Sequence, residues 1–269
     1  MRRLLLYALL VLGALVAAFP MLWMLSASLM PTGEAAATPP RLLPSHVTAE
    51  HYRALFTRLD LGRYLLNSTI VAVTVTAVSL FVNSMAGYAF AKLRFRGRER
   101  LFRVLTLGLV IPVQVAMLPL FLLMKQLGMI NTYWGVIIPG LASIFGIFLV
   151  RQYALSIPDD LLDAARIDGA GEFRIYWSVV LPTVRPILAT LAIWTFLATW
   201  NDFMWPLIVL SDEAKFTLPV ALANLSGEHV QDTELMMAGS VLTVLPVMVV
   251  FLFLQRFYIA GITAGSVKG

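Results

Sequence analysis

Six stretches of this chain are apolar over about the 20 residues that a helix needs to cross a bilayer: 4–25, 65–91, 101–124, 133–150, 187–210 and 235–257. No other feature limits the fold so strongly. In hydrocarbon every backbone N–H and C=O must be paired inside the protein, so a spanning segment is a helix or a strand of a closed barrel. The stretches run apolar without the alternation of a barrel strand. They predict an all-α membrane protein with six transmembrane helices. Composition agrees: 59% of the residues are hydrophobic and 13% charged, against about a quarter charged in soluble domains.

The first stretch follows Arg2 and Arg3. Its apolar run exceeds the ~7–15 residues of a signal peptide and no clean small-x-small site follows, so it is expected to stay as an anchor. Pro112, Pro119, Pro139, Pro206 and Pro246 fall inside the expected spans. Each removes a helix hydrogen bond, which is tolerated where neighbouring helices or a cavity take up the freed carbonyl. The organisation expected is an N-terminal helix and loop (1–64), a helical membrane domain (65–257) and a short tail (258–269).

Lys and Arg set the orientation. The N-terminus, the loops after the second and fourth spans, and the tail together hold 14, and the opposite side holds 6. Both termini are therefore expected in the cytoplasm. The loop 151–185 then lies inside, and the loops 26–64 and 211–234 lie outside. The first outer loop carries Pro31, Pro39, Pro40 and Pro44 and a short amphipathic helix around 49–56; the second is acidic.

Several chemistries are excluded. The net charge of +5 reflects the cytoplasmic Lys/Arg excess and not a nucleic-acid-binding face. No cysteine is present, which removes disulfides and thiolate ligands. His46, His51 and His229 lie in loops without metal-ligand spacing and are expected to be solvated, so no metal site is expected. No Gly-x-x-x-x-Gly-Lys-Ser/Thr loop occurs, so the chain does not cradle ATP phosphates in that way. Asp202 is the one carboxylate expected within a span, which gives a proton relay little support.

The most informative polar segment is 156–182. It reads as two short helices. Pro158 suits a first helical position, Asp159 and Asp160 favour the positive end of the helix dipole, and Gly169 fits a C-terminal stop. Leu161, Leu162, Ala165 and Ile167 give the first helix an apolar component, while Ala164 and Ala165 leave part of its surface without bulk. Phe173, Tyr176 and Trp177 in the second fit a membrane interface, and Pro182 breaks the path into the fifth span.

Asp163-Ala164-Ala165, three residues, Gly169, nine residues, then Val179-x-Leu181-Pro182 resembles the signature of binding-protein-dependent ABC importer permeases. That signature is Glu-Ala-Ala, Gly and Ile-x-Leu-Pro at the same spacing, so Asp163 and Val179 are departures. The stretch Trp200-Asn201-Asp202-Phe203-Met204-Trp205-Pro206-Leu207 and the tail 261–269 resemble the carbohydrate, maltose-type group, in particular its smaller permease subunit. The resemblance covers about 65–257. It implies a type I permease fold in a bacterial or archaeal inner membrane. It also implies a homologous second permease, two cytoplasmic ATPases that bind the ATP and Mg, and an extracytoplasmic sugar-binding protein.

On that resemblance Asp163, Ala164, Ala165, Asp168 and Gly169 form a coupling helix seated in an ATPase cleft. Trp200, Asn201, Asp202 and Trp205 are candidates for the sugar pathway, because aromatic faces suit the apolar face of a sugar ring. The same polar pair also fits a packing role between helices. An importer of another solute is the nearest alternative. An ion-coupled transporter would call for inverted repeats and buried charges, which the sequence lacks.

Overall fold

The computed structural model describes residues 2–39, 41–228 and 232–266; His229 and residues 267–269 of the tail lie outside the described residues. Among those described, all regular structure is helical. In chain order the α-helices are α1 (Arg2–Ala27), α2 (Glu50–Thr57), α3 (Leu61–Lys92), α4 (Arg98–Leu107) and α5 (Val113–Gln126). There follow α6 (Tyr133–Ile137), α7 (Ile144–Ala154), α8 (Asp159–Ile167), α9 (Glu172–Ile175) and α10 (Leu181–Thr183). The last are α11 (Arg185–Trp200), α12 (Met204–Val209), α13 (Leu218–Glu228) and α14 (Thr233–Ser266).

Four segments among the described residues are long and apolar enough to cross a membrane without a sharp bend: Arg3–Ala27, Leu61–Lys92, Tyr133–Ala154 (α6 and α7 with a short non-α stretch between them) and Thr233–Phe253. The count of six is reached only if two bent pairs each form one span. Arg98–Val110 meets Val113–Gln126 at 108°, and Glu172–Thr183 meets Arg185–Trp200 at 78°. The third expected span is thus not a straight helix. Ile111 is extended (φ −82°, ψ 119°) ahead of Pro112, as the proline ring excludes the helical region for the residue before it. The fifth also differs from expectation, since α11 stops at Trp200 and a separate short helix begins at Met204. A hydropathy window sees the continuous apolar run and not the break at Asn201.

The chain divides into two compact units, Met1–Leu65 with Thr217–Met248, and Leu66–Phe216 with Val249–Gly269. In the first, Ala27, Met30 and Ala35 form a small core with Trp23 and Met237. Glu234 is buried and accepts a hydrogen bond from the Ala35 amide at 2.6 Å. His51, expected to be solvated, is buried instead, its Nε2 donating to the Met30 carbonyl at 2.8 Å.

In the second unit, Asn83 holds α7 against α3. Its amide nitrogen donates to Ser79 Oγ, and its oxygen accepts from the Ser143 amide that opens α7. Gly87 and Gly146 let these helices approach closely. A Cβ on Gly87 would lie 2.7 Å from Val150, and one on Gly146 would lie 2.6 Å from the Asn83 amide nitrogen.

Candidate functional site

The segment after α7 folds as its sequence dictates. Pro158 is extended (φ −60°, ψ 133°) and precedes the helix as its N-cap, one position earlier than expected. Asp159 and Asp160 fill the first turn of α8 and Arg166 the last, charges of the right sign for each end of the dipole. Gly169 ends the helix in the left-handed region (φ +79°). The Ala170 amide returns to the Ala165 carbonyl and the Gly169 amide to the Arg166 carbonyl, both at 3.0 Å. Those are the two hydrogen bonds of a Schellman stop, which puts glycine at that position.

One residue of α8 is fully buried. Leu162 is 1% exposed and packs among Ile157, Ile175, Tyr176, Val180 and Ala154, with Tyr88 and Ala91 of α3. The opposite face carries Asp160, Asp163, Ala164 and Ile167, all exposed, at the i, i+3, i+4, i+7 spacing of one helical stripe. Ile167, part of the apolar component expected of this helix, is 86% exposed. The outer face is therefore acidic at one end, small in the middle and apolar at the other end. Asp168 and Gly169 are exposed beside it and Ala165 is half-buried.

Polar contacts that sequence reasoning missed fix the base of this element to α3. Lys92 Nζ donates to the Ile157 carbonyl at 2.6 Å and to Asp159 Oδ1 at 2.7 Å. Tyr88 donates its hydroxyl to Glu172 Oε2 at 2.7 Å. Arg166 donates from Nε to Glu172 Oε1 at 2.8 Å and from Nη1 to Asp163 Oδ1 at 2.7 Å. The hydrogen bond from Lys92 holds the Asp159 carboxyl below the usual carboxylate range. Hydrogen bonds to Glu172 and Asp163 raise the pKa of Arg166 further. Asp163 thus has a partner within the chain.

Beyond α9 the helix widens into a π segment, Tyr176–Val180, before Pro182. A proline cannot donate to a regular ladder, and a π turn places an extra residue ahead of it. Tyr176 consequently points inward, 2% exposed, with its hydroxyl 2.7 Å from Ser84 Oγ of α3. Only Phe173 and Trp177 keep the exposed position expected of all three aromatics. The chain turns at Val184 and not at Pro182.

The second group of candidates sits where α11 ends. Trp200 is 1% exposed and stacks on Phe196, ring centroids 5.6 Å apart. Trp205 is 7% exposed and donates its indole N–H to the Gly135 carbonyl at 3.1 Å. Asn201 is exposed, its amide returning to the Leu197 carbonyl at 2.9 Å. Asp202 accepts from the Trp205 amide at 3.3 Å and so starts α12. The four residues are brought together, two as packed rings and two as polar groups at a helix break. Among the described residues no group of three or more His, Cys, Asp or Glu is placed to hold a metal ion.

Comparison with known proteins agrees with this architecture. Residues 83–263 match the family model described as binding-protein-dependent transport system inner membrane component. The chain is 40% identical over 259 residues to an arabinooligosaccharides transport system permease protein of Halalkalibacterium halodurans, covering 95% of this chain and 93% of that one. It is 35% identical over 266 residues to a diacetylchitobiose uptake system permease protein of Streptomyces coelicolor, covering 97% and 88%. Its fold is similar to a crystal structure of a bacterial ABC transporter involved in the import of the acidic polysaccharide alginate, with TM-score 0.83, 26% identity and 95% coverage of both chains. This helical, multi-pass chain therefore belongs to the family of binding-protein-dependent transport system inner membrane components, the permeases of ABC transporters.

Proposed function

We propose that this chain is one of two permease subunits of an ATP-driven sugar importer, and that α8 is the element through which it is coupled to its ATPases. The observation that carries this reading is the exposed stripe Asp160, Asp163, Ala164 and Ile167 on a helix whose other face is bolted to α3. A lone, highly exposed isoleucine between a small residue and carboxylates has the composition of a buried anchor with a polar rim. Asp163, Ala164, Ala165, Asp168 and Gly169 are its coupling residues. ATP and Mg are bound by the partner subunits.

In this reading both termini and α8 face the cytoplasm, and a solute-binding protein delivers sugar to the outer side. The relatives named for arabinooligosaccharide and diacetylchitobiose transport support an oligosaccharide cargo. The pathway includes the break after α11. Asn201 offers its amide there, Asp202 its second carboxylate oxygen, and Trp200 and Trp205 hold the break in shape.

Two measurements on one purified sample test this. The chain should retain a soluble ATPase through purification, and Ile167→Asp should release it while the membrane helices still insert. Vesicles containing the complex should accumulate an oligosaccharide only with ATP and the binding protein. Retention of the ATPase by Ile167→Asp would overturn the docking role of α8. Uptake of only a non-sugar solute would overturn the cargo.

A further inference from the structure

The segment joining α3 to α5 carries Lys92, Arg94, Arg96, Arg98, Arg100 and Arg103, and the coupling site uses only the first. Arg94 is close enough to Asp159 to act on its carboxylate. Arg98 is occupied by the Leu93 carbonyl and by Glu99. Glu99, the one acid in the segment, is shared between Arg98 and Arg151. Arg96, Arg100 and Arg103 are exposed and, among the described residues, have no carboxylate within ion-pair distance.

α4 explains what those three arginines have beside them. At ~100° per residue, Arg103, Leu107, Arg100, Val104 and Leu101 occupy one arc, and Phe102 points the opposite way. Phe102 is buried against Phe90 and Ile147, with the Arg151 guanidinium over its ring. Every residue of the outer arc is exposed. It is thus a surface of two arginines and three large apolar side chains on a short helix. That combination suits a bilayer interface, where apolar side chains sink and guanidinium groups reach up to the headgroups.

Position makes the same case. Arg96 stands four residues beyond Lys92, the last residue of the α3 span. At about 3.5 Å per residue it lies at most ~14 Å from the span's end, close to one Debye length of ~8–10 Å. The axis of Arg98–Val110 is turned 108° from that of Val113–Gln126, so α4 lies near the bilayer plane when α5 crosses it. A protein partner for this surface would have to be acidic and apolar together. An anionic leaflet supplies both at this depth.

We propose that α4 and the loop before it form a binding site for anionic phospholipid. The guanidinium groups of Arg96, Arg100 and Arg103 engage the headgroup phosphates, and Leu101, Val104 and Leu107 enter the acyl region. Each arginine near a charged leaflet strengthens binding by about fivefold, so the three together amount to roughly a hundredfold.

The test uses the full chain with the subunits that copurify, incorporated into discs of phosphatidylcholine alone or with phosphatidylglycerol in equal part. Phosphatidylglycerol carries the charge in both leaflets, so the outcome does not depend on the orientation proposed above. The native protein should retain phosphatidylglycerol selectively, and selectivity should weaken as salt rises. The triple variant Arg96→Gln, Arg100→Gln, Arg103→Gln should lose most of it, while the same three positions changed to Lys should keep most of it. Equal retention by the Gln variant, or salt-independent retention by the native chain, overturns the site. So does loss of a copurifying soluble subunit from the Gln variant with lipid selectivity unchanged, which would make the surface a protein-docking face.

Discussion

Gly169 offers a test that separates strain from docking. Its φ of +79° is left-handed, and a Cβ built there meets nothing within 4 Å. The chain itself therefore has room for a side chain, and the intramolecular cost of a substitution is backbone strain alone. For alanine that is about 1–2 kcal/mol, a ~5- to 30-fold loss in the population of the closed helix end. Asparagine and aspartate visit this region more readily, and in this chain Asp60 (φ 49°) and Asn131 (φ 58°) do so. Strain alone thus ranks Gly169→Ala as the most harmful change and Gly169→Asn and Gly169→Asp as milder. A cleft that closes over the end of α8 ranks them the other way, because bulk and a desolvated charge then dominate. We expect the second order: Gly169→Asp abolishes coupled uptake, Gly169→Asn weakens it and Gly169→Ala loses least. The assay is ATP turnover with sugar accumulation in reconstituted vesicles, together with hydrogen exchange at residues 165–170 to report strain directly. If Gly169→Ala is the worst variant and Gly169→Asp couples normally, nothing closes on this helix and the docking argument fails.

Three further outcomes follow from the same geometry. Lys92→Met leaves the Ile157 carbonyl without its 2.6 Å donor, at about 1–3 kcal/mol; faster hydrogen exchange in α8 with unchanged membrane insertion is expected, and native exchange would remove Lys92 from the anchor. Because Asp159 is held below the usual carboxylate range by Lys92, its ion pair is fully present above the ordinary carboxylate pKa and is lost as pH falls through the lowered one; acid loosening of α8, measured by exchange, should be reduced in Asp159→Asn, and an identical pH profile would refute it. Since the chain has no cysteine, Gly97→Cys should resist an impermeant thiol reagent in intact cells while Leu43→Cys, exposed on the other expected side, reacts; the reverse pattern would invert the orientation.

Much of the architecture was legible in the sequence because it depends on local rules. The dipole charges of Asp159, Asp160 and Arg166 and the stop at Gly169 are local, and the segment folds as they require. The breaks are also local but are hidden from hydropathy. Ile111 before Pro112 and Asn201 after Trp200 interrupt helices inside runs that remain apolar. What the sequence could not show is pairing over distance. Lys92 and Asp159 are 67 residues apart, and Tyr88 and Glu172 are 84 apart; nothing in either neighbourhood names the other. Tyr176 was misplaced for a related reason, since the π segment that turns it inward follows from the register ahead of Pro182, not from its own aromatic character.

Those long-range pairs decide how motion at α8 can travel. A displacement of its outer face is resisted on three sides at once: by Leu162 in the apolar cluster, by Lys92 at the N-terminal end and by Arg166 through Glu172 to Tyr88 at the C-terminal end. Both polar tethers end within the last two turns of α3, five residues or fewer from Lys92. The link toward α11 differs, because the chain is bent by 78° at Val184 and a bent junction transmits torque less faithfully than a continuous helix. A movement imposed on α8 would therefore reach α3 first, whose 32 residues run unbroken for about 48 Å at 1.5 Å per residue. If α8 is the docking helix proposed above, it is fastened to an element long enough to carry its displacement across a bilayer.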